Sequence, residues 1–455
     1  MTAARLPIAV IGGGFSGAAT ALHLSHLLRD GPPVMLFERS GRIGPGLAYA
    51  TVSPSHILNV RATNMSAFPD DPTHFERWLS ADLGEAGDRH ETEAGLFASR
   101  RLYARYLCDT FNAEGGTRAH RIPAEIVDCR RDGDGFVLAD TSGAEHRASA
   151  VVLATGHVAP PPATDPRHIT DPWNPNFLTG LDPAAPILIR GTALTMVDVV
   201  LTLREAGFAG PITALSRRGA LPQAHSTTAP WPQPTLDRQE RATVLGVMRR
   251  LRREVASARR DGVDWRAAID AIRPLTVEIW QGWSLDERRR FLRHARRWWD
   301  IHRHRTAPPV AARLTDELNQ GGLRIESGRL SELVSEESGL RALWTDRDGK
   351  KHDLLCQRVI DAVGLVGMRD VRPGLIDQLI SQGLARLDPL GIGLDVGDDL
   401  GVRAADGRPV PGLWALGPMV RGTFWECIAV PDIRRQAAAC ADRVAAYFPP
   451  SQAAS

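Results

Sequence analysis

Glycines spaced G-x-G-x-x-G can cradle a pyrophosphate only where a strand leads into them and a helix leads out. Ile8-Ala9-Val10-Ile11 is a short apolar run rich in β-branched residues. Gly12-Gly13-Gly14-Phe15-Ser16-Gly17 follows at once, and Ala18-Ala19-Thr20-Ala21-Leu22 continues as a helix. Gly12 permits the tight turn, Gly14 lets the backbone approach a phosphate, and Gly17 lets helix and strand pack closely. The helix start, with Phe15 and Ser16 in its first turn, presents free N–H groups and a positive dipole end. Val34 to Phe37 reads as the second strand and ends at Glu38, 21 residues after Gly17, with Arg39 beside it. A carboxylate there can accept hydrogen bonds from ribose hydroxyls. Together these features predict a dinucleotide site.

A second strand, turn and helix begin at Pro186-Ile187-Leu188-Ile189-Arg190-Gly191-Thr192 and lead to another strand at Ile212 to Leu215. Ala193 and Met196 stand where the second and third glycines would be, so the glycine pattern is degenerate. The end of the second strand is more informative. An acid would suit the free ribose of NAD, whereas Ser216-Arg217-Arg218 offers a hydroxyl and two guanidinium groups suited to a 2′-phosphate. Gly191, Thr192, Ser216, Arg217 and Arg218 are therefore the expected NADPH contacts. The other reading is a βαβ unit that has kept its fold and lost its ligand.

The elements that would position these residues follow in order. Ala150 to Leu153 is an apolar strand running into Ala154-Thr155-Gly156, and the proline-rich stretch 160–175 reads as a linker. Residues 236–305 look helical, dense in Arg and rich in Trp, with the run from Arg288 to Arg305 reading as a solvated helix face. Arg358 to Gly364 repeats the strand-then-glycine form, and Gly412 to Gly417 does so once more. A last helix starts at Pro431, with proline in its first turn. The expected fold is α/β with two Rossmann-like dinucleotide-binding domains, the second inserted in the first. The expected boundaries are 1–180 with 355–455 for the split first domain, and 181–354 for the second, including a helical insert at about 228–310.

Composition narrows the field. A net charge of +2 over 455 residues gives no reason to expect nucleic acid. Only Lys350 and Lys351 of the 55 basic residues are lysines, a bias of genome composition rather than of partner. The five cysteines are scattered and never spaced C-x-x-C, which suits a reducing compartment and argues against a redox-active disulfide. His302-Arg303-His304-Arg305 lacks a third ligand, so no metal is expected. With no uncharged apolar run of about 18 residues after the first helix, no membrane span is expected. The expected location is cytoplasmic; the oligomeric state stays open.

The glycine turn, the A-T-G near residue 155, the second nucleotide unit and the late Leu413-Trp414-Ala415-Leu416-Gly417 together resemble flavoproteins with two dinucleotide-binding domains. More narrowly, several stretches resemble the bacterial FAD/NAD(P)-binding proteins of the YdhS-like group. These are Gly44 to Tyr49, His56 to Phe68, Gly191 to Asp198 with Ser216 to Gly219, and Gly422-Thr423-Phe424-Trp425-Glu426 with Ala429 to Arg434. Asn59, Met65 and Phe68-Pro69 carry a looser similarity to class B flavin monooxygenases. The resemblance implies FAD on Gly12, Gly14, Gly17, Glu38, Gly156 and Gly417, with the start of the Pro431 helix facing the flavin's N1/O2 edge. It places Asn59 against the flavin and His56 and Trp425 nearby as candidate catalytic residues. The implied reaction is hydride transfer from NADPH to FAD, addition of O2 at C4a, and oxygenation of a small nucleophile, for example an amine nitrogen, by the (hydro)peroxyflavin. An NAD(P)H-dependent reductase without oxygen insertion and a flavin-bound sensor with little turnover remain the alternatives.

Overall fold

A computed structural model describes residues 6–81, 84–115, 119–157, 160–364, 367–369 and 374–448. The chain builds two parallel sheets. In the first, the strand order is 401–403, 409–415, 150–153, 8–11, 34–37, 119–122; all neighbours are parallel except the first pair. Its two central strands are wholly apolar and buried (Ile8–Ile11 and Ala150–Leu153), as a sheet covered on both faces requires. The helix Phe15–Leu27 covers one face and packs against the last helix, Val430–Tyr447.

The second sheet runs 168–169, 358–361, 187–190, 212–216, 323–327, all parallel. It repeats the plan of the first. In each unit a three-stranded antiparallel meander (126–132, 135–140, 145–148 and 329–336, 339–345, 351–356) precedes the strand that returns beside the first one. The repeat reaches atomic detail. A Cβ on Gly12 would lie 2.4 Å from the carbonyl oxygen of Ala154, and one on Gly191 would lie 2.2 Å from that of Ala362. Each first glycine thus faces the residue just past its neighbouring strand.

This pairing moves two segments. The strand Arg358–Asp361 adds to the second sheet beside 187–190, not to the first, where the expected boundary at 355 had put it. The stretch expected to be a linker, 160–175, supplies an edge strand at 168–169, and a short 3₁₀ turn at its end, Pro175–Leu178, carries Phe177, buried in the second core. Backbone pairing with an open sheet edge overrides the proline signal there, because the prolines flank the strand rather than interrupt it.

Between 212–216 and 323–327 lies the helical insert. Its helices run from Arg238 to Arg303, with a π-helical turn at Phe291–Ala295; the helix Pro308–Asn319 then packs on the second core. The insert folds back on the first unit. Trp280, Trp283 and Phe291 form one apolar cluster with Trp425, and Trp280 Nε1–H donates to the Gly422 carbonyl at 2.9 Å. Arg273 pairs with Asp432 at 3.1 Å. Among the described residues no helix is long and apolar enough to cross a membrane.

Candidate functional site

Backbone crowds the first glycine turn at Gly12 and Gly17, and the Glu38 and Ile43 side chains crowd Gly13. A Cβ on Gly17 would lie 1.8 Å from the Gly12 carbonyl, and Gly12 itself has φ +101°. A Cβ on Gly14 would meet Gly46 Cα at 3.3 Å, because residues 44–46 lie over the turn and the Gly44 N–H donates to the Gly13 carbonyl. Gly14 caps the Phe15–Leu27 helix without any side-chain bond, so Phe15, Ser16 and Gly17 start a helix whose first N–H groups have no side-chain acceptor. Glu38 reaches back over the turn: Oε2 accepts the Gly13 N–H at 2.8 Å and Oε1 accepts from Ser40. Gly417, at φ +73°, packs beside Ser16, and its N–H donates to Gln436 Oε1 at 2.7 Å. Gly156 has open space where a Cβ would stand. Gly12, Gly14, Phe15, Ser16, Gly17, Glu38, and Gly417 therefore converge. Arg39 does not join them; its exposed side chain pairs with Glu125 at 3.2 Å.

In the second unit the helix Leu194–Glu205 also starts without a side-chain cap, at Ala193. Met196 is fully buried at the position corresponding to Gly17. Thr192 Oγ1 bonds Ser216 Oγ at 2.9 Å and the Ala220 carbonyl at 2.8 Å, and Arg297 of the insert donates to Thr192 at 2.7 Å. Arg217 and Arg218 are exposed beside this network, with Arg218 over the Trp298 ring. The degenerate turn is thus completed by a guanidinium from the insert.

Both units face one cavity of about 260 Å3. Tyr49, Asn59 and Met65 line it from the first unit and Ala193 to Thr195 from the second. Arg296, Arg297, Asp300, Arg303 and His304 come from the insert. Arg421, Trp425, Glu426 and the start of the Val430–Tyr447 helix complete it. That helix also begins without a side-chain cap, at Ala429. Two helix N-termini and four arginines therefore give this space a positive potential.

Of the three residues expected to act near the flavin, two line the cavity and one does not. Asn59 lines it, and its carbonyl accepts from His225 Nε2 at 3.0 Å. Trp425 is buried between two guanidinium groups, Arg421 at 4.8 Å and Arg296 at 5.6 Å from its ring centroid. His56 is not among the lining residues. It is buried against the helix Leu194–Glu205, its ring bonded to Thr51 Oγ1 and Thr202 Oγ1, both at 2.8 Å. Burial holds its pKa below the ordinary histidine value, so it packs as a neutral ring joining the two units.

The expectation of a solvated face for the Arg288–Arg305 run needs correcting. Arg305 is 2% exposed and makes a two-pronged bond to Asp270, while Arg303 faces Glu426 at 3.6 Å. Burial alone would raise the Glu426 carboxyl; Arg303 and His304, with the Trp299 Nε1–H bond at 2.7 Å, hold it below the ordinary range. Arg297 and Arg421 had no motif to mark them; Glu426 stood in the Gly422–Glu426 stretch and Arg303 in His302–Arg305, but neither stretch gave them a role. Among the described residues no group of three or more His, Cys, Asp or Glu side chains could hold a metal ion.

With this geometry in hand, comparison with known proteins is informative. Residues 9–158 match a family described as FAD-NAD(P)-binding. A dihydrolipoyl dehydrogenase of Cupriavidus necator is 32% identical over 114 residues, 25% of this chain; the chain spans about a fifth of that relative's length (21%). Among solved structures, an ornithine hydroxylase from Pseudomonas aeruginosa aligns over 97% of this chain and 99% of its own, with TM-score 0.65 at 13% identity. An L-lysine 6-monooxygenase from Pseudomonas syringae aligns over 97% and 100%, with TM-score 0.64 at 15% identity. A bacillithiol disulfide reductase from Staphylococcus aureus gives 97% and 98%, with TM-score 0.56 at 12% identity. At these identities the likeness is one of fold: α/β, with parallel dinucleotide-binding sheets of the flavoprotein type.

Proposed function

We propose that the protein is an FAD-containing, NADPH-dependent monooxygenase that oxygenates a small nucleophilic substrate, for example at an amine nitrogen. FAD is assigned to the unit built on the 8–11 strand and NADPH to the unit built on the 187–190 strand. The observation that carries this reading is the single cavity lined at once by both units, by two uncapped helix starts and by the insert. A hydride donor and its acceptor must meet in such a space, and the insert supplies one of its walls. The glycine cradle fits a pyrophosphate, since a Cβ on Gly14 or Gly46 would crowd the other's Cα at 3.3 or 3.0 Å where the backbone must approach.

Bound FAD would supply hydride acceptance and oxygen activation. The chain's own residues do the rest. The Val430–Tyr447 helix start favours negative charge on the group held beside it. Asn59 offers an amide, held in place through its carbonyl by His225. Trp425 lines the cavity and is backed by the insert's aromatic cluster. Thr192, Ser216 and Arg297 hold the second nucleotide, with Arg217 and Arg218 available to its 2′-phosphate. The fold likeness to the ornithine and lysine hydroxylating enzymes supports this reading over a plain reductase.

Stopped-flow absorbance tests it. The purified protein is reduced anaerobically with NADPH or NADH, then mixed with oxygenated buffer, with and without an amine panel. Fast reduction by NADPH, followed by a transient absorbing species before the oxidised spectrum returns, is the expected result. Fast reduction with direct reoxidation under every condition would make the protein a reductase. No reduction by either nucleotide would make it a flavin-bound sensor.

A further inference from the structure

Four arginines line the cavity, Arg296, Arg297, Arg303 and Arg421, against two acids, Asp300 and Glu426. Three of the four have evident employment. Arg296 pairs with Asp300 at 3.3 Å, Arg303 faces Glu426, and Arg297 donates to Thr192 at the second nucleotide turn. Arg421 has none. It is 7% exposed, no carboxylate pairs with it among the described residues, and its Nε is buried without a hydrogen-bond partner. The Nε and one Nη of Arg303 and the Oε2 of Glu426 are in the same condition. Burial lowers the Arg421 pKa, yet a guanidinium keeps its charge in a protein. A buried cation with the unpartnered Nε–H groups of Arg421 and Arg303 on one wall is costly to leave empty.

We propose that this wall is the substrate's anion seat, and that the substrate is an organic carboxylate whose charged end is held by Arg421. The Arg421 guanidinium lies 4.8 Å from the Trp425 ring centroid, and its Nε edge carries no hydrogen-bond partner. That edge matches the two oxygens of a carboxylate. Arg303 and Glu426 complete the polar wall, while Tyr49, Val60, Met65, Ile301 and Ile428 line the remainder for an apolar body. The nucleotide phosphates have their own receivers at the two glycine turns and at Arg297, which is bonded to Thr192. The proposal rests on reading this cavity as the substrate chamber of an oxidoreductase.

The test is a titration of the FAD-loaded protein, read by tryptophan fluorescence, with acetate, hexanoate and phenylacetate against hexanol and hexylamine. Either larger carboxylate is expected to bind at least tenfold more tightly than hexanol or hexylamine. Arg421→Gln should abolish that preference, and Arg421→Lys should keep part of it. Circular dichroism and FAD content verify that each variant is folded. If neither variant folds, the wild-type preference decides alone: equal binding of carboxylates and hexanol overturns the proposal. An Arg421→Gln protein that keeps the preference also overturns it. If that variant instead weakens NADP+ or FAD binding and leaves carboxylate selectivity intact, the guanidinium belongs to a cofactor. NADPH reduction of the wild-type flavin is measured separately, so failure of the functional reading and failure of the anion seat give different results.

Discussion

Arg217 stands exposed one residue past Ser216, whose hydroxyl bonds Thr192 at the second nucleotide turn. Losing a charge-assisted contact to a 2′-phosphate costs about 1.5–3 kcal/mol. Arg217→Ala is therefore expected to raise the KM for NADPH by roughly 10- to 150-fold while sparing NADH. Steady-state kinetics with both nucleotides checks this, and an unchanged NADPH/NADH ratio removes the assignment. His225 makes a second prediction. Burial pushes its pKa from 6.5 down to about 4, and its Nε2–H donates to the Asn59 carbonyl. A histidine whose folded pKa is depressed favours the neutral form in the native state. Its contribution to stability is complete above the unfolded pKa and is lost as pH falls from 6.5 towards 4. Melting temperature should fall across that window more steeply in the wild type than in His225→Gln, which can still donate to Asn59 but does not titrate. Neither the burial of His225 nor the exclusion of His56 from the cavity was legible in the sequence, because a histidine's environment comes from elements distant in the chain.

At the scale of elements, the two glycine turns show how much local pattern can settle. The first was legible as a turn: strand, turn, helix and acid stand in register, and a Cβ on Gly12 or Gly17 would run into backbone at 2.4 or 1.8 Å. Gly14 has φ −66°, an ordinary value for any residue, so a side chain there is opposed by Gly46 and not by backbone strain. Gly14→Val is thus expected to fold, with a circular dichroism spectrum close to wild type, and to purify without yellow colour. A fully flavinylated variant would contradict the first site. Gly17→Ala should be far more damaging to folding, since its Cβ would lie 1.8 Å from the Gly12 carbonyl. The second turn was legible as a βαβ unit but not as a complete site, because the group that finishes it, Arg297, lies 105 residues further along. Likewise the strand at 358–361 showed itself as a strand, but its sheet was undetermined: an apolar run carries no mark of the edge it will pair with.

At the scale of the molecule, the helical insert joins the second unit to the first. Trp280 is 1% exposed, stacks near Trp425 at 4.9 Å and bonds the Gly422 carbonyl. Trp280→Ala should cost about 3–5 kcal/mol, as large buried aromatics do, lowering the urea midpoint. It should also loosen the cavity wall, so that more NADPH is consumed as hydrogen peroxide release and less as oxygenated product; an oxygen-electrode and peroxide assay would check this. The sequence by itself determined the α/β class, the two strand–turn–helix units, the helical insert and the first glycine turn, because strand, turn and helix preferences are set by residues close in the chain. Only the tertiary structure decided which arginines are buried, which strands belong to which sheet and which candidate residues share a cavity. Those depend on burial and on contacts between segments hundreds of residues apart. A run of arginines reads the same whether its side chains face water or a buried cavity.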